Sequence, residues 1–146
     1  MKLVVAGELN ELIFIYTKTK AKNHKYFYLP LSLETLIFCE EKKLNYLNPI
    51  NFLKNNFHYQ GIISSNKLIS KFDFLPIKYE AHKKDFKNFI RKIYNQAFFV
   101  NNLILAIEKK YKINEIIISG LKFESNFNLI EIIKVFFSNK KNYKIK

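Results

Sequence analysis

Glycine, cysteine, arginine and tryptophan are nearly missing from this chain of 146 residues, which has three Gly, one Cys, one Arg and no Trp. Each scarcity excludes something. A loop that cradles phosphates needs glycines so that backbone amides can approach the anion, and Gly7, Gly61 and Gly120 form neither G-x-G-x-x-G nor G-x-x-x-x-G-K-[ST]. A dinucleotide or P-loop site is therefore not expected, and no cofactor is implied. One cysteine cannot close an internal disulfide. Cys39, in Leu36-Ile37-Phe38-Cys39, reads as a small apolar filler rather than a thiolate nucleophile or metal ligand, and a reduced cytoplasmic compartment is the simplest setting. Long apolar runs are missing too. Ile116–Ile118, and Ile132–Phe137 with Lys134 inside it, fall far short of the roughly 20 residues that span a bilayer. Leu3–Gly7 is too short for the apolar core of a secretory signal.

What is present is apolar and basic. A hydrophobic content of 49% with 16% aromatic residues suffices for one compact domain over residues 1–146 and excludes disorder as the main state. The 25 cations against 12 anions give a net charge of +13, a balance that usually points to nucleic acid. Here 24 of the 25 are Lys, and Ile, Asn, Phe and Tyr are abundant as AT-rich codons would make them, so nucleotide bias accounts for much of the charge.

Along the chain, Leu3–Ala6 and the continuous apolar run Leu12–Tyr16 predict strands, the second buried on both faces of a sheet. Gly7–Asn10 between them makes a hairpin turn, or Glu8–Leu12 makes a single helical turn. Thr17–Lys25 reads as a loop and Tyr26–Pro30 as extended, because the residue before a proline is pushed out of the helical region. Ser32 offers an N-cap to a helix over about Leu33–Lys42, followed by a short strand at Leu44–Leu47 and a turn at Asn48-Pro49. Ile50–Phe57 reads as one helical stretch. Tyr59–Pro76 is the least patterned segment, with turns at Gly61, Ser64, Ser65 and Pro76.

The strongest signal lies in Lys84–Tyr111. Phe86, Ile90, Ile93, Ala97, Val100, Ile104, Ile107 and Tyr111 recur at steps of four and three, which predicts one long amphipathic helix or two broken at Asn101-Asn102. Ile116–Gly120 reads as a buried parallel strand, Asn128 caps a helix over Leu129–Phe137, and Asn142–Ile145 begins another strand. Strands alternating with helices predict an α/β fold, a Rossmann-like three-layer parallel sheet with helices on both faces. A last strand that begins near Tyr143 and stops at Lys146 leads us to expect a truncated protein or half of a two-domain one.

Ligands of open α/β sheets sit beyond the carboxyl ends of the strands, so Gly7, Glu8, Asn48, Ser119 and Gly120 are ligand-binding candidates, set against plain turn geometry. His24, His58 and His82 have no second ligand at metal-binding spacing, and no metal site is expected. Glu80 and His82 could form an acid/base pair, since a neighbouring carboxylate holds an imidazole in its useful range, or could decorate a helix start. Lys18, Lys20, Lys22 and Lys25, backed by Tyr26 and Tyr28, are the anion-binding candidates, with a solvated loop as the alternative. A second cluster, Lys83-Lys84, Lys87 and Arg91-Lys92, partly follows one helix face toward acidic lipid or water.

Leu29-Pro30-Leu31-Ser32-Leu33-Glu34-Thr35-Leu36, with Glu40–Pro49 after it, resembles the amino-terminal part of bacterial surface-carbohydrate biosynthesis proteins of glycosyltransferase-like architecture. The likeness extends loosely over residues 1–120. It implies a two-domain protein in which the first Rossmann-like domain handles a glycolipid or saccharide acceptor and the second a nucleotide-sugar, this chain supplying the acceptor side. A basic surface suits an anionic acceptor or a weak contact with an anionic membrane. The competing expectation is a non-enzymatic basic module for nucleic acid or another anionic partner.

Overall fold

Lys2–Ala6 forms β1, the central strand of a parallel sheet, in the computed structural model of the chain, which describes residues 1–19, 25–53, 57–71 and 80–119, with backbone alone at 57–59, 80 and 81. β2 (Tyr26–Pro30) and β3 (Glu115–Ile118) flank it in the order β2-β1-β3. The register sets Lys2 opposite Tyr26 and Ala6 opposite Pro30 on one side, and Lys2 opposite Glu115 and Val5 opposite Ile118 on the other. Lys2 and Glu115 close that second pairing with an ion pair of 2.8 Å at the amino edge. Tyr46 adds a single parallel bridge beyond β2, where Leu44–Leu47 was expected as a short strand. Tyr28 donates its amide to the Asn45 carbonyl and accepts from the Leu47 amide, both at 2.8 Å.

Both faces of the sheet are buried, as continuous apolar strands require. Val4, Ala6, Tyr26, Tyr28 and Ile117 point to a core shared with Leu12 and Ile15 of α1 (Leu9–Thr19) and Cys39 of α2 (Leu33–Glu41). Leu3, Val5, Leu29, Ile116 and Ile118, which alternate with them, are at most 1% exposed. The chain steps outward from β1 through α1 and α2 to Tyr46, then returns across the sheet to β3, the connection order for which right-handed crossovers put helices on opposite faces. This is the expected α/β, Rossmann-like arrangement.

Two compact units carry these elements, one built on Met1–Leu53 and the chain from Leu103 onward, the other on Lys54–Asn102. The first holds the sheet, α1, α2 and the last turns of α4 (Glu80–Lys110), where Leu103, Ile104 and Ile107 have no exposed surface. The second holds α3 (Phe57–Ser70) and the rest of α4, with Ser65, Ile69, Ala97 and Val100 buried. α4 is unbroken at Asn101-Asn102, as Asn102 Nδ2 donates to the Phe98 carbonyl at 2.8 Å, bonding along the helix rather than interrupting it.

Three expectations are corrected. Leu12–Tyr16 is not a strand but the middle of α1. Glu11, Leu12, Ile15 and Thr19 are buried while Ile13 is 38% exposed, a helical spacing concealed because nearly every position of the run is apolar. Thr17–Thr19 accordingly belongs to α1 rather than to a loop, whereas residues 20–24 lie outside the described residues. Ile50–Phe57 is not one helical stretch, since a 3-10 turn at Pro49–Phe52 ends at Leu53, whose backbone is extended. The segment read as unpatterned contains all but the first two residues of α3, and its expected turn residues Gly61, Ser64 and Ser65 lie inside that helix. Ser65 Oγ donates to the Ile62 carbonyl at 2.9 Å, a bond that lets a buried serine sit in a helix. Pro76, the helix expected at Leu129–Phe137 and the strand expected from Asn142 fall outside the described residues.

α2 follows its sequence signals closely. The Ser32 side chain accepts from the Thr35 amide while Thr35 Oγ1 accepts from the Ser32 amide at 3.1 Å, a reciprocal capping box. At the other end Lys43 takes the left-handed conformation, φ 51°, and the Leu44 amide donates back to the Cys39 carbonyl at 2.9 Å.

Candidate functional site at the carboxyl edge of the sheet

The chain leaves β1 for α1 on one side and enters β3 on the other, which makes the β1/β3 boundary the point where strand order reverses. In open α/β sheets the crevice forms there, because the loops from the two strands part in opposite directions. The register Val5 to Ile118 sets Ser119 level with Ala6, just before Gly7 and Glu8, so that all three leave the sheet at this end. Three of the five ligand-binding candidates thus share one edge position. Gly120, the fourth, lies outside the described residues. Asn48 follows the Tyr46 bridge on the far side of β2, two strand spacings or about 10 Å from β1, and its Oδ1 accepts from the Ile50 amide at 3.0 Å, capping the 3-10 turn.

The turn after β1 has an unusual occupant. Glu8 stands at the N-cap of α1, its carbonyl accepting the first helical bond from the Leu12 amide at 3.1 Å. One turn along, Glu11 folds its carboxylate back so that Oε2 accepts from the Gly7 amide at 2.9 Å and from the Glu8 amide at 3.1 Å. These amides and the positive end of the helix are what a bound phosphate uses in this fold class. Here the protein's own carboxylate fills the place. Glu11 is buried, and its carboxyl is pushed above the ordinary carboxylate value by burial first, against the pull of the two amide hydrogen bonds and with a further rise from the Glu8 charge.

Glu8 completes the electrostatics. Its Oε1 is buried and has no hydrogen-bond partner among the described residues, although a carboxylate oxygen removed from water without a donor is costly. Ser119, 1% exposed, directly follows the last residue of β3. The edge therefore holds two carboxyl groups around the turn amides rather than an open phosphate cradle. A strand over Leu12–Tyr16 leaves Glu11 no such role, whereas a glutamate three residues after the N-cap of a helix is the sequence signal for it.

The remaining candidates lie elsewhere. Lys18 and Lys25 are exposed near the amino edge, where α1 ends and β2 begins, and the Lys18 ammonium sits 4.0 Å over the Phe14 ring. Lys20 and Lys22 lie outside the described residues, as does the Glu80 side chain. His82 is exposed in the first turn of α4, in the second unit. Cys39 is fully buried, and burial pushes its thiol up to about 12, which fits its reading as a core filler. Among the described residues, no group of His, Cys, Asp and Glu is placed to hold a metal ion, and no helix is long and apolar enough to cross a membrane.

No protein-family model, curated protein or solved structure matches the chain.

Proposed function

We propose that the carboxyl edge beside β1 and β3 binds a saccharide acceptor and that the chain is the acceptor-side half of a sugar-transfer enzyme of surface-polysaccharide assembly. The observation that carries this reading is the buried Glu8 Oε1 with no hydrogen-bond partner among the described residues, next to turn amides already taken by Glu11. A saccharide presents hydroxyl donors at close spacing, and a carboxylate is their strongest neutral-pH acceptor, charge-assisted bonds being roughly twice as strong as neutral ones. A nucleotide phosphate brought to the same edge meets two carboxylates and no open amide cradle. The site thus favours the acceptor over the nucleotide-sugar, which is the division of labour that the resemblance in Leu29–Pro49 implies.

Saturation-transfer NMR with a panel of mono- and oligosaccharides tests the reading. The wild-type chain gives transfer to a saccharide that Glu8→Gln weakens, while free nucleotides give none. Transfer to nucleotides in preference to every saccharide overturns it.

A further inference from the structure

The second unit carries a charged surface with no part in that site. On α4, Lys83, Lys84, Lys87, Asn88 and Arg91 line an open concavity of about 440 Å³ with four cations and, among the described residues, no carboxylate. The spacing explains it. Positions 83, 87 and 91 stand one above another on a helix, and 84 and 88 form the neighbouring row. Arg91, the sole arginine, is held in orientation. Its Nη1 donates to Asn88 Oδ1 at 2.9 Å and its Nη2 reaches Asn66 Oδ1 of α3 at 3.4 Å. Two neutral amides steady the planar guanidinium fork, the geometry suited to phosphate oxygens.

Exposed apolar side chains on the same unit decide between polyanions. Phe86, 36% exposed, lies three residues from Lys83 and borders the basic rows, and Phe89, 59% exposed, lies one step further around the helix. Ile62 and Ile63 of α3 are 48% and 39% exposed. Nucleic-acid phosphates give aliphatic side chains no place to go. The boundary between lipid headgroups and acyl chains takes cations and apolar side chains together.

We propose that this face of α4 docks on the phosphates of an anionic bilayer, with Lys83, Lys84, Lys87 and Arg91 at headgroup level and Phe86 beside them. This stands independently of the saccharide reading, since it uses no residue of the carboxyl edge.

The test is co-sedimentation of the full chain with vesicles of phosphatidylcholine, alone or mixed two to one with phosphatidylglycerol, at low salt. Because a chain of net charge +13 attracts anions unspecifically, two triple variants of equal charge are compared. Lys83→Gln, Lys87→Gln and Arg91→Gln remove the rows; Lys18→Gln, Lys42→Gln and Lys109→Gln remove three exposed cations of the other unit. A cation near an anionic surface contributes about fivefold in affinity, so the first set loses on the order of a hundredfold and the second far less. Lys83→Gln with Lys84→Gln, which leaves the bonds of Arg91 intact, guards against loss of folding and loses about twentyfold to thirtyfold. Equal losses in the two triple variants, or binding to phosphatidylcholine alone, overturn the proposal. So does a loss of affinity for a single-stranded oligonucleotide with vesicle binding unchanged, which would make the face a nucleic-acid surface. Saccharide transfer measured on the same variants stays at the wild-type level, which separates failure here from failure of the carboxyl-edge site.

Discussion

The Glu11 carboxylate accepts the Glu8 amide at 3.1 Å across the first turn of α1, while the Glu8 carboxylate oxygen Oε1 is buried without a donor among the described residues. The two glutamates thus divide one turn between them. Glu11 satisfies the helix start, and Glu8 holds an N-cap position that serine, threonine, asparagine or aspartate would serve better. A residue kept at a stability cost in the crevice of the fold is the pattern expected of a binding residue.

Glu8→Ser separates the two roles. A serine there can accept from the Glu11 amide and complete a capping box, and it removes a buried acceptor that has no donor among the described residues. The expected outcome is a gain of about 1 kcal/mol in urea unfolding, together with loss of saccharide binding. A destabilised variant, or a stabilised one that binds saccharide as before, contradicts the assignment of Glu8 as a ligand group.

Glu11 makes stability depend on pH in a stated direction. A carboxyl whose value is higher in the folded chain takes up a proton on folding. Its contribution is therefore fully present below the ordinary value of 4.5 and is lost as pH rises through the raised one. Glu11→Gln keeps an acceptor for the Gly7 and Glu8 amides and carries no charge to desolvate. Its stability relative to wild type should rise as the pH climbs above 4.5 and level off once the raised value has been passed. Urea unfolding across that range checks it, and a difference that shrinks with pH refutes the sign.

Two backbone positions should yield stability without touching the site. Lys43 holds φ 51°, where a side chain is strained, and Lys43→Gly should gain about 0.5–1 kcal/mol. Gly61 sits inside α3, where an added Cβ would meet Phe98 Cδ1 at 3.5 Å, an ordinary contact, so Gly61→Ala should gain a similar amount, about 0.5–1 kcal/mol. Thermal unfolding reads both. A loss at Gly61 would mean that α3 and Phe98 pack closer than this distance.

Cys39 should resist a thiol reagent at pH 8 in the native chain and react at once in denaturant, because the sulfur is buried and its thiolate is disfavoured until about pH 12. Rapid native labelling would show that the core formed by Tyr28, Leu12 and Cys39 opens readily.

The legible parts of the fold were those with one dominant pattern. β1, β2 and β3 are short β-rich runs, α2 has the Ser32 cap, and α4 repeats its apolar positions over many turns. α1 was hidden because a helix facing a sheet with one side and partly covered on others is apolar almost throughout, so its period vanishes into the run Leu12–Tyr16. α3 was hidden by Gly61, Ser64 and Ser65, whose turn preference gives way once Ser65 finds the Ile62 carbonyl within the helix. The site followed the same division. Gly7, Glu8 and Ser119 were readable from the carboxyl-end rule, whereas Glu11 depended on knowing that α1 begins at Leu9.

The most direct test of the central claim is an amide chemical-shift titration of the labelled chain with the best-binding saccharide. Shifts concentrated at Gly7, Glu8 and Ser119, and absent in Glu8→Ser, are the expected result. Shifts at those amides with a nucleotide but with no saccharide would contradict it.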